Sequence, residues 1–307
     1  MIYDIVVIGG GPAGLTAALY SLRAGRSVLV IEKEGFGGQM TYSPKIENYP
    51  GFTSISGNEL AANMVEQVIA QGAEITMEEV IRIDTARTDN IKVITTDIGA
   101  YEARAVIIAV GVKHRLLNVP GEEKFLGEGI SFCALCDGAF YEGKEVAVIG
   151  GGNSALQEAI LLAKTSKKVT IIQNLDFLTG EKKLIDILEN TPNVEIILGY
   201  TVDSFEGDEK ITGVTIRSAK DSSTKTVAID GVFTAIGLAP ANDRFSNVAA
   251  LDERGYFAAD ESGITSTKGI FVAGDCRTKR VRQISAACSD GAWCSVAAGE
   301  YLDSLDK

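Results

Sequence analysis

Short apolar runs that end in glycine, each followed by an amphipathic stretch, recur in two sets along this chain. In the first set Ile5–Ile8 reads as a buried parallel strand, Ala13–Ala24 as an amphipathic helix and Ser27–Ile31 as the next strand. The run Ala105–Val110, closed by Gly111, adds another buried strand. The middle of the chain repeats the plan, with a strand at Glu145–Ile149, a helix at Ser154–Ala163 and a strand at Lys168–Ile172. Gly231–Gly237 is the counterpart of the strand that ends at Gly111. Beyond Pro240 the plan does not restart. Gly269–Asp275 reads as a strand ending in Gly-Asp, and Ile284–Leu302 as an apolar helix.

This pattern predicts an α/β protein made of two Rossmann-like, three-layer nucleotide-binding domains, the second inserted into the first. The predicted bounds are 1–113 and 244–307 for the two parts of the first domain and 114–243 for the insertion. The two connections, near Lys113 and Asp243, lie in polar stretches and are expected to form a hinge.

Each set opens on one glycine fingerprint. The first is Gly9-Gly10-Gly11-Pro12-Ala13-Gly14. Gly9 permits the tight turn, Gly11 lets backbone approach a pyrophosphate, and Gly14 lets helix pack on strand. The helix N-terminus offers that pyrophosphate N–H donors and a partial positive charge. Glu32 falls 18 residues after Gly14, where an acid accepts hydrogen bonds from ribose hydroxyls. Alone, such a match is a weak signal that a mere Gly-rich turn also gives; strand, helix and acid in register make it a nucleotide site.

The second fingerprint, Gly150-Gly151-Gly152-Asn153-Ser154-Ala155, keeps the same register, which places Gln173 where Glu32 stands in the first. Asn174 and Leu175 follow. An acid here favours a free 2′-hydroxyl and arginines favour a 2′-phosphate; this chain has neither. Gln173 suits a ribose, so NADH fits, whereas NADPH lacks a charge partner. The competing reading makes Gln173 a surface polar residue on a site that no longer binds nicotinamide.

Composition narrows the function classes. The 307 residues are 46% hydrophobic and 23% charged, as in an ordinary globular protein. No apolar run is long enough to span a membrane, and Met1-Ile2-Tyr3-Asp4 does not read as a signal peptide, so a cytoplasmic protein with no membrane partner is expected. A net charge of −12 argues against nucleic acid as a partner. Five cysteines, an odd number, do not suggest a structural disulfide framework.

The pair Cys133 and Cys136 is therefore expected to be redox-active. Half of a zinc site is the alternative, with His114, Cys276, Cys288 and Cys294 as further candidate ligands, although no second Cys-x-x-Cys accompanies it. Asp137 either relays a proton to a departing thiolate or caps a helix. Cys276, Cys288 and Cys294 are expected to be small buried hydrophobes. The basic run Arg277, Lys279, Arg280 and Arg282 faces either a phosphate or acidic partner, or water as a solvated loop. Two nucleotide sites and a dithiol in one chain suggest electrons moving from a nucleotide cofactor to a disulfide.

The combination of the first fingerprint, Gly37-Gly38-Gln39, Glu47-Asn48-Tyr49-Pro50-Gly51, Cys133-Ala134-Leu135-Cys136-Asp137-Gly138, the second fingerprint, Gly274-Asp275 and Arg282-Gln283 resembles the low-molecular-weight, FAD-dependent thioredoxin reductases over nearly the whole chain. The resemblance implies FAD on the first fingerprint, with Glu32 on the adenosine ribose, Val80 near the adenine, and Pro12, Ala13, Lys33, Gly111 and Gly274 in the same set. It places Gly38, Gln39 and Asn48 by the flavin, Asp275 on the ribityl or pyrophosphate region, and Arg282, Gln283 and Ile284 beside the isoalloxazine. Cys136 would exchange electrons with the flavin, Cys133 would attack a thioredoxin or thioredoxin-like disulfide, and Asp137 would be the acid/base. A homodimer is implied.

One departure bears on the electron donor. Members that use NADPH carry a His-Arg-Arg type motif where this chain has Gln173-Asn174-Leu175, and the region Val169–Glu181 is more similar to that of the NADH-using flavoprotein that reduces alkyl hydroperoxide peroxiredoxins. The expected function is thioredoxin-disulfide reduction, with NADH or NAD(P)H as donor. The alternatives are a ferredoxin-dependent flavin thioredoxin reductase, a ferredoxin–nicotinamide flavin reductase, and a redox sensor. The inserted domain is expected to rotate, presenting nicotinamide and dithiol to the flavin in turn.

Overall fold

The computed structural model describes residues 1–42, 46, 48–85 and 90–306; the side chains of Tyr42 and Cys136 lie outside that description, as does Glu47 of the motif named above. The chain forms two compact units, Met1–Lys113 with Ala239–Lys307, and His114–Leu238.

The first unit begins with β1 (Ile2–Ile8), α1 (Pro12–Arg23), β2 (Val28–Glu32) and α2 (Gly57–Ala70). It continues through β3 (Glu74–Met77), β4 (Val80–Asp84), β5 (Lys92–Thr96) and β6 (Ala100–Ile108), and reaches the short β7 (Lys113–His114). The second unit holds α3 (Glu122–Phe125), β8 (Ile130–Ser131), α4 (Ala134–Asp137), β9 (Glu145–Ile149), α5 (Asn153–Leu162) and β10 (Lys168–Gln173). There follow α6 (Lys182–Glu189), β11 (Val194–Leu198), the meander β12 (Tyr200–Gly207), β13 (Ile211–Ser218) and β14 (Thr224–Ala228), then β15 (Gly231–Thr234) and β16 (Leu238–Ala239). The chain returns to the first unit with β17 (Ile270–Val272) and α7 (Ile284–Leu305).

Among the described residues the first sheet runs β3-β2-β1-β6-β5-β4, with β17 also paired to β6. β1 is parallel to both β2 and β6, and a strand with two parallel neighbours is buried on both faces. Its side chains alternate accordingly. Ile5 and Val7 pack against α1 and α7, while Val6 and Ile8 pack against Val80, Ile83, Phe245 and Phe257. The second sheet runs β11-β10-β9-β15-β8 and repeats the device: Val146 and Val148 face α5, while Ala147 and Ile149 face the antiparallel meander through Val202, Val214 and Ile216. The outer layer of this unit is thus a β-meander, in a stretch where the apolar pattern predicted no element.

The second change of unit falls at Leu238–Ala239, a few residues before Asp243. Asp243 opens a short 3-10 turn whose Phe245 is already in the core of the first unit, and the two connecting segments, β7 and β16, pair as a two-stranded ladder. No helix among the described residues is long and apolar enough to cross a membrane.

One residue of α5 breaks the apolar pattern. Glu158 stands one turn from both Ala155 and Leu162, and its Oε2 is buried with no hydrogen-bond partner. Burial pushes this carboxyl from 4.5 up to about 8. Between those values the folded chain keeps a proton that the unfolded chain has lost, so stability falls as pH rises through that window. Glu158→Gln is therefore expected to match the wild-type Tm near pH 5 and exceed it at pH 8. A pH-independent difference in calorimetric scans would contradict this origin.

Candidate functional site

The first unit builds a nucleotide cradle from backbone. Gly9 has φ of +108°, and a Cβ built there would lie 2.4 Å from the Ala109 carbonyl oxygen. A Cβ on Gly14 would lie 1.9 Å from the Gly9 oxygen, so α1 touches the turn with no side chain between. Gly11 is the N-cap of α1 and makes no side-chain cap bond, Pro12 opens the helix, and no acid occupies its first turn. The helix N–H groups therefore face outward as an anion site.

At the end of β2, Glu32 Oε2 accepts from the Gly10 N–H at 2.7 Å, and Oε1 accepts from the Lys33 and Glu34 N–H groups at 2.8 and 2.9 Å. Beside it a cavity of about 100 Å³ is lined by Ile8, Gly9, Glu32, Lys33, Val80 and Phe245 among others. Arg244, which sequence reasoning passed over, closes its side by donating to Glu79 Oε1 at 2.6 Å and to the Val80 carbonyl at 2.9 Å. Gly111, at φ +63°, ends the neighbouring strand segment.

The far side of this cradle is held by one carboxylate. Asp290, on α7 and 5% exposed, accepts from the Gly274 N–H, from Nε and Nη2 of Arg277, and from Lys279 Nζ, all within 2.9 Å. Arg277 is 3% exposed. The solvated-loop reading of the basic run is thus overturned for Arg277 and Lys279: both cations are buried because Asp290 pairs them. Arg282 wraps the same loop, donating to the carbonyls of Asp275, Arg277 and Lys279 and stacking on Tyr256.

The loop so fixed presents Asp275, whose Oδ1 is buried without a hydrogen-bond partner; burial raises its carboxyl, opposed by Lys279 and Arg282. An orphaned acceptor of this kind fits a ligand hydroxyl. Gly38 lies against Gly11, Asn48 Nδ2 donates to Gln283 Oε1 at 3.0 Å, and Ile284 packs on Met40 and Ile46. Gln39 and Gln283 are exposed. A glycine-lined helix N-terminus, a ribose-side carboxylate and an Asp275 oxygen with no hydrogen-bond donor of its own fit a flavin adenine dinucleotide.

The second unit repeats the first down to single hydrogen bonds. A Cβ on Gly150 would lie 2.4 Å from the Ala235 oxygen, and the Thr179 N–H donates to the Gly151 oxygen as the Gly37 N–H does to Gly10. Gly152 is the uncapped N-cap of α5. Here, though, the residue that ends the strand is neutral. Gln173, 5% exposed, packs on Gly151, donates weakly to the Phe177 carbonyl at 3.4 Å and accepts from the Asn174 N–H at 3.2 Å. It is not a surface residue. Asn153 ties the loop down through reciprocal bonds with Glu181. The adjoining cavity, about 700 Å³, is lined by Gly150–Ser154, Gln173–Leu175, Thr179, Tyr200 and apolar residues, with no Asp, Glu, Lys or Arg among the described lining.

On the same unit Cys133 is held in a disulfide; the Cys136 side chain lies outside the described residues. Asp137 ends α4 and precedes a 3-10 turn, to which it gives no side-chain cap bond. Its Oδ2 accepts instead from Ser131 Oγ at 2.6 Å. Cys276 and Cys294 are buried thiols pushed up to about 12 by burial, but Cys288 is only half-buried and faces the Tyr49 hydroxyl.

A family model described as pyridine nucleotide-disulphide oxidoreductase matches residues 3–291. The chain is similar to a thioredoxin reductase from Treponema pallidum, 41% identical over 306 residues and covering 99% of each chain. It is similar to one from Listeria monocytogenes, 41% identical over all of this chain and 96% of that one. Among solved structures, the crystal structure of Lactococcus lactis thioredoxin reductase (FR conformation) superposes with a TM-score of 0.90 at 36% identity, covering 98% of this chain and 99% of that one.

The Asp290 network carries a prediction. Asp290→Asn keeps the shape but leaves the buried Arg277 without its anion and Lys279 with Asp275 alone, a loss of about 3–5 kcal/mol. The variant is expected to melt lower and to lose flavin on gel filtration. A wild-type Tm with an unchanged flavin-to-protein absorbance ratio would contradict this role.

Proposed function

The chain belongs to the pyridine nucleotide-disulphide oxidoreductase family, and from that membership we propose that it is a flavoprotein that reduces the disulfide of thioredoxin or a thioredoxin-like protein. The observation that carries this reading is the disulfide-bonded Cys133, four residues before Asp137, on the same unit as a nucleotide cradle. Gly9, Gly11, Pro12, Ala13, Gly14, Glu32, Lys33, Val80 and Gly111 would hold the adenosine and pyrophosphate of FAD. Gly38, Gln39, Asn48, Gly274, Asp275, Arg282, Gln283 and Ile284 would border its flavin side. When bound, FAD supplies the two-electron link between a reduced nucleotide and the dithiol.

The chain's own residues then discharge the dithiol. The Cys133 thiolate attacks one sulfur of the partner's disulfide; that S–S bond breaks and the second partner sulfur leaves as a thiolate. Asp137 gives this thiolate the proton that it took from an enzyme thiol. The Cys136 thiol next gives up its proton and attacks Cys133, which closes the enzyme disulfide; the partner's remaining sulfur leaves as a thiolate and takes up that proton. Leu135 and Phe140, both exposed beside the dithiol, offer apolar surface to a docked partner. Because the donor cradle and Cys133 share one unit and the flavin cradle lies on the other, turnover includes a turn of the second unit. The chemistry needs a reducing compartment, which the cytoplasm provides. Trp293 and Val296, exposed on α7, offer a face to a second copy in a homodimer.

For the donor we favour a nicotinamide nucleotide, with NADH preferred over NADPH. A 2′-phosphate entering a cavity with no cationic side chain gives up water without gaining an ion partner, whereas ribose hydroxyls find the Gln173 and Asn174 amides. Steady-state reduction of thioredoxin is therefore expected to show a kcat/KM at least about tenfold higher for NADH than for NADPH, one missing charge-assisted contact being worth about 1.5–3 kcal/mol. Asn174→Arg with Leu175→Arg should narrow or invert that ratio. Equal use of both nucleotides by wild type, unchanged by the arginines, would contradict the assignment, and reduction by neither would remove the nucleotide donor altogether.

A further inference from the structure

Ser131 closes β8 two residues before Cys133, and its side chain joins two parts of the dithiol site. Oγ lies 2.6 Å from Asp137 Oδ2 and accepts from the Cys133 N–H at 3.0 Å. A second acceptor, the Cys133 carbonyl oxygen, is 3.4 Å away. A hydroxyl has one hydrogen bond to donate, and the short contact to a carboxylate is the stronger of the two, so Ser131 donates to Asp137. The Cys133 N–H then fills an Oγ lone pair. Ser131 itself is buried, at 8% exposure.

We propose that Ser131 is the positioning residue for proton transfer at the dithiol. This rests on the roles given above to Cys133 and Asp137. A carboxylate at the end of a four-residue helix, without a cap bond, turns freely and offers either oxygen. Ser131 pins Oδ2 and leaves Oδ1 as the oxygen that exchanges the proton. In the balanced step an enzyme S–H gives its proton to Asp137 Oδ1, the sulfur attacks the partner's disulfide, and the departing partner sulfur takes the proton back from Oδ1. Ser131 keeps its own proton throughout. Because the same hydroxyl receives the Cys133 N–H, the acid is held in a fixed relation to the backbone of the attacking cysteine. A cap that merely stabilised the turn would need the Cys133 N–H bond alone; the bond to Asp137 is what the chemistry uses.

A double-mutant cycle separates these roles. Thioredoxin reduction is measured for wild type, Ser131→Ala, Asp137→Asn and the combined variant, all as FAD-loaded protein. Ser131→Ala is expected to lower kcat about tenfold with little change in KM for thioredoxin, a fraction of the 10²–10⁴ that a positioned acid contributes. In the Asp137→Asn background the same change is expected to cost less than about twofold, because the residue it acts through is gone. Ser131→Thr keeps the hydroxyl and should retain activity; Ser131→Val removes it at equal size, and this pair carries the test should the alanine variant fail to fold. An unchanged kcat in Ser131→Ala, or an equal loss in both backgrounds, would overturn the proposal. A wild type inert towards thioredoxin but active on a small aromatic disulfide would sink only the partner assignment, and the cycle is then read on that substrate.

Discussion

In each of the two nucleotide cradles a strand-end carbonyl sits where a side chain would otherwise begin, and both depend on that crowding. The Ala109 oxygen blocks any Cβ on Gly9, and the Ala235 oxygen blocks any Cβ on Gly150, each at 2.4 Å. The turn after the first strand is therefore pressed against a neighbouring strand, and the helix that follows points its uncapped N-terminus outward. In the first unit the approach is tightened again at Gly14. In the second, Ala155 takes that place, and its methyl group stands 3.4 Å from the position of a Gly150 Cβ. The same constraint, met twice, produces two anion sites from one plan.

The two cradles then part company in charge. The first is ringed by ionic groups: Glu32 clamped by three N–H groups, Arg244 on Glu79, and the buried Asp290 that pairs Arg277 and Lys279. Such a network is costly to desolvate and costly to break, so it suits a tightly held, resident group. The second cradle is neutral among its described lining residues, with an amide where the first has a carboxylate. A neutral, roomy cavity suits a ligand that enters and leaves with each turnover. Cys133 lies on this second unit, where the Ser131 hydroxyl donates to Asp137 and, in our proposal, positions it for the proton transfer that thiol exchange requires.

Much of this was legible in the sequence, for physical reasons that differ by element. The glycine fingerprints are readable because only glycine tolerates the approach of a carbonyl, so the requirement is written in residue identity. Gln173 is readable by register alone, 18 residues after Ala155 as Glu32 is after Gly14. The meander β12–β14 was not read, because its strands mix apolar and polar residues without the continuous runs that mark the parallel strands. The basic run stayed open between two readings because the partner of Arg277 and Lys279, Asp290, lies 13 residues beyond Arg277 on a helix; an acid on the buried stripe of α7, beside Ala287, Gly291 and Cys294, was the available signal. Ser131 and Arg244 carry no motif. Arg244 bonds to Glu79 and Val80, far back along the chain, and Ser131 bonds to Asp137 across the bend from β8 into α4; periodicity encodes neither contact.

The central claim is that electrons from a nicotinamide nucleotide reach the Cys133 disulfide through this chain. The most direct test is an anaerobic titration of the FAD-loaded protein with NADH, following flavin absorbance and quenching samples with an alkylating reagent for peptide mass analysis. NADH is expected to bleach the flavin, with Cys133 becoming alkylated in step. Flavin that stays oxidised under NADH and bleaches only with reduced ferredoxin, or that bleaches while Cys133 remains in its disulfide, would contradict it.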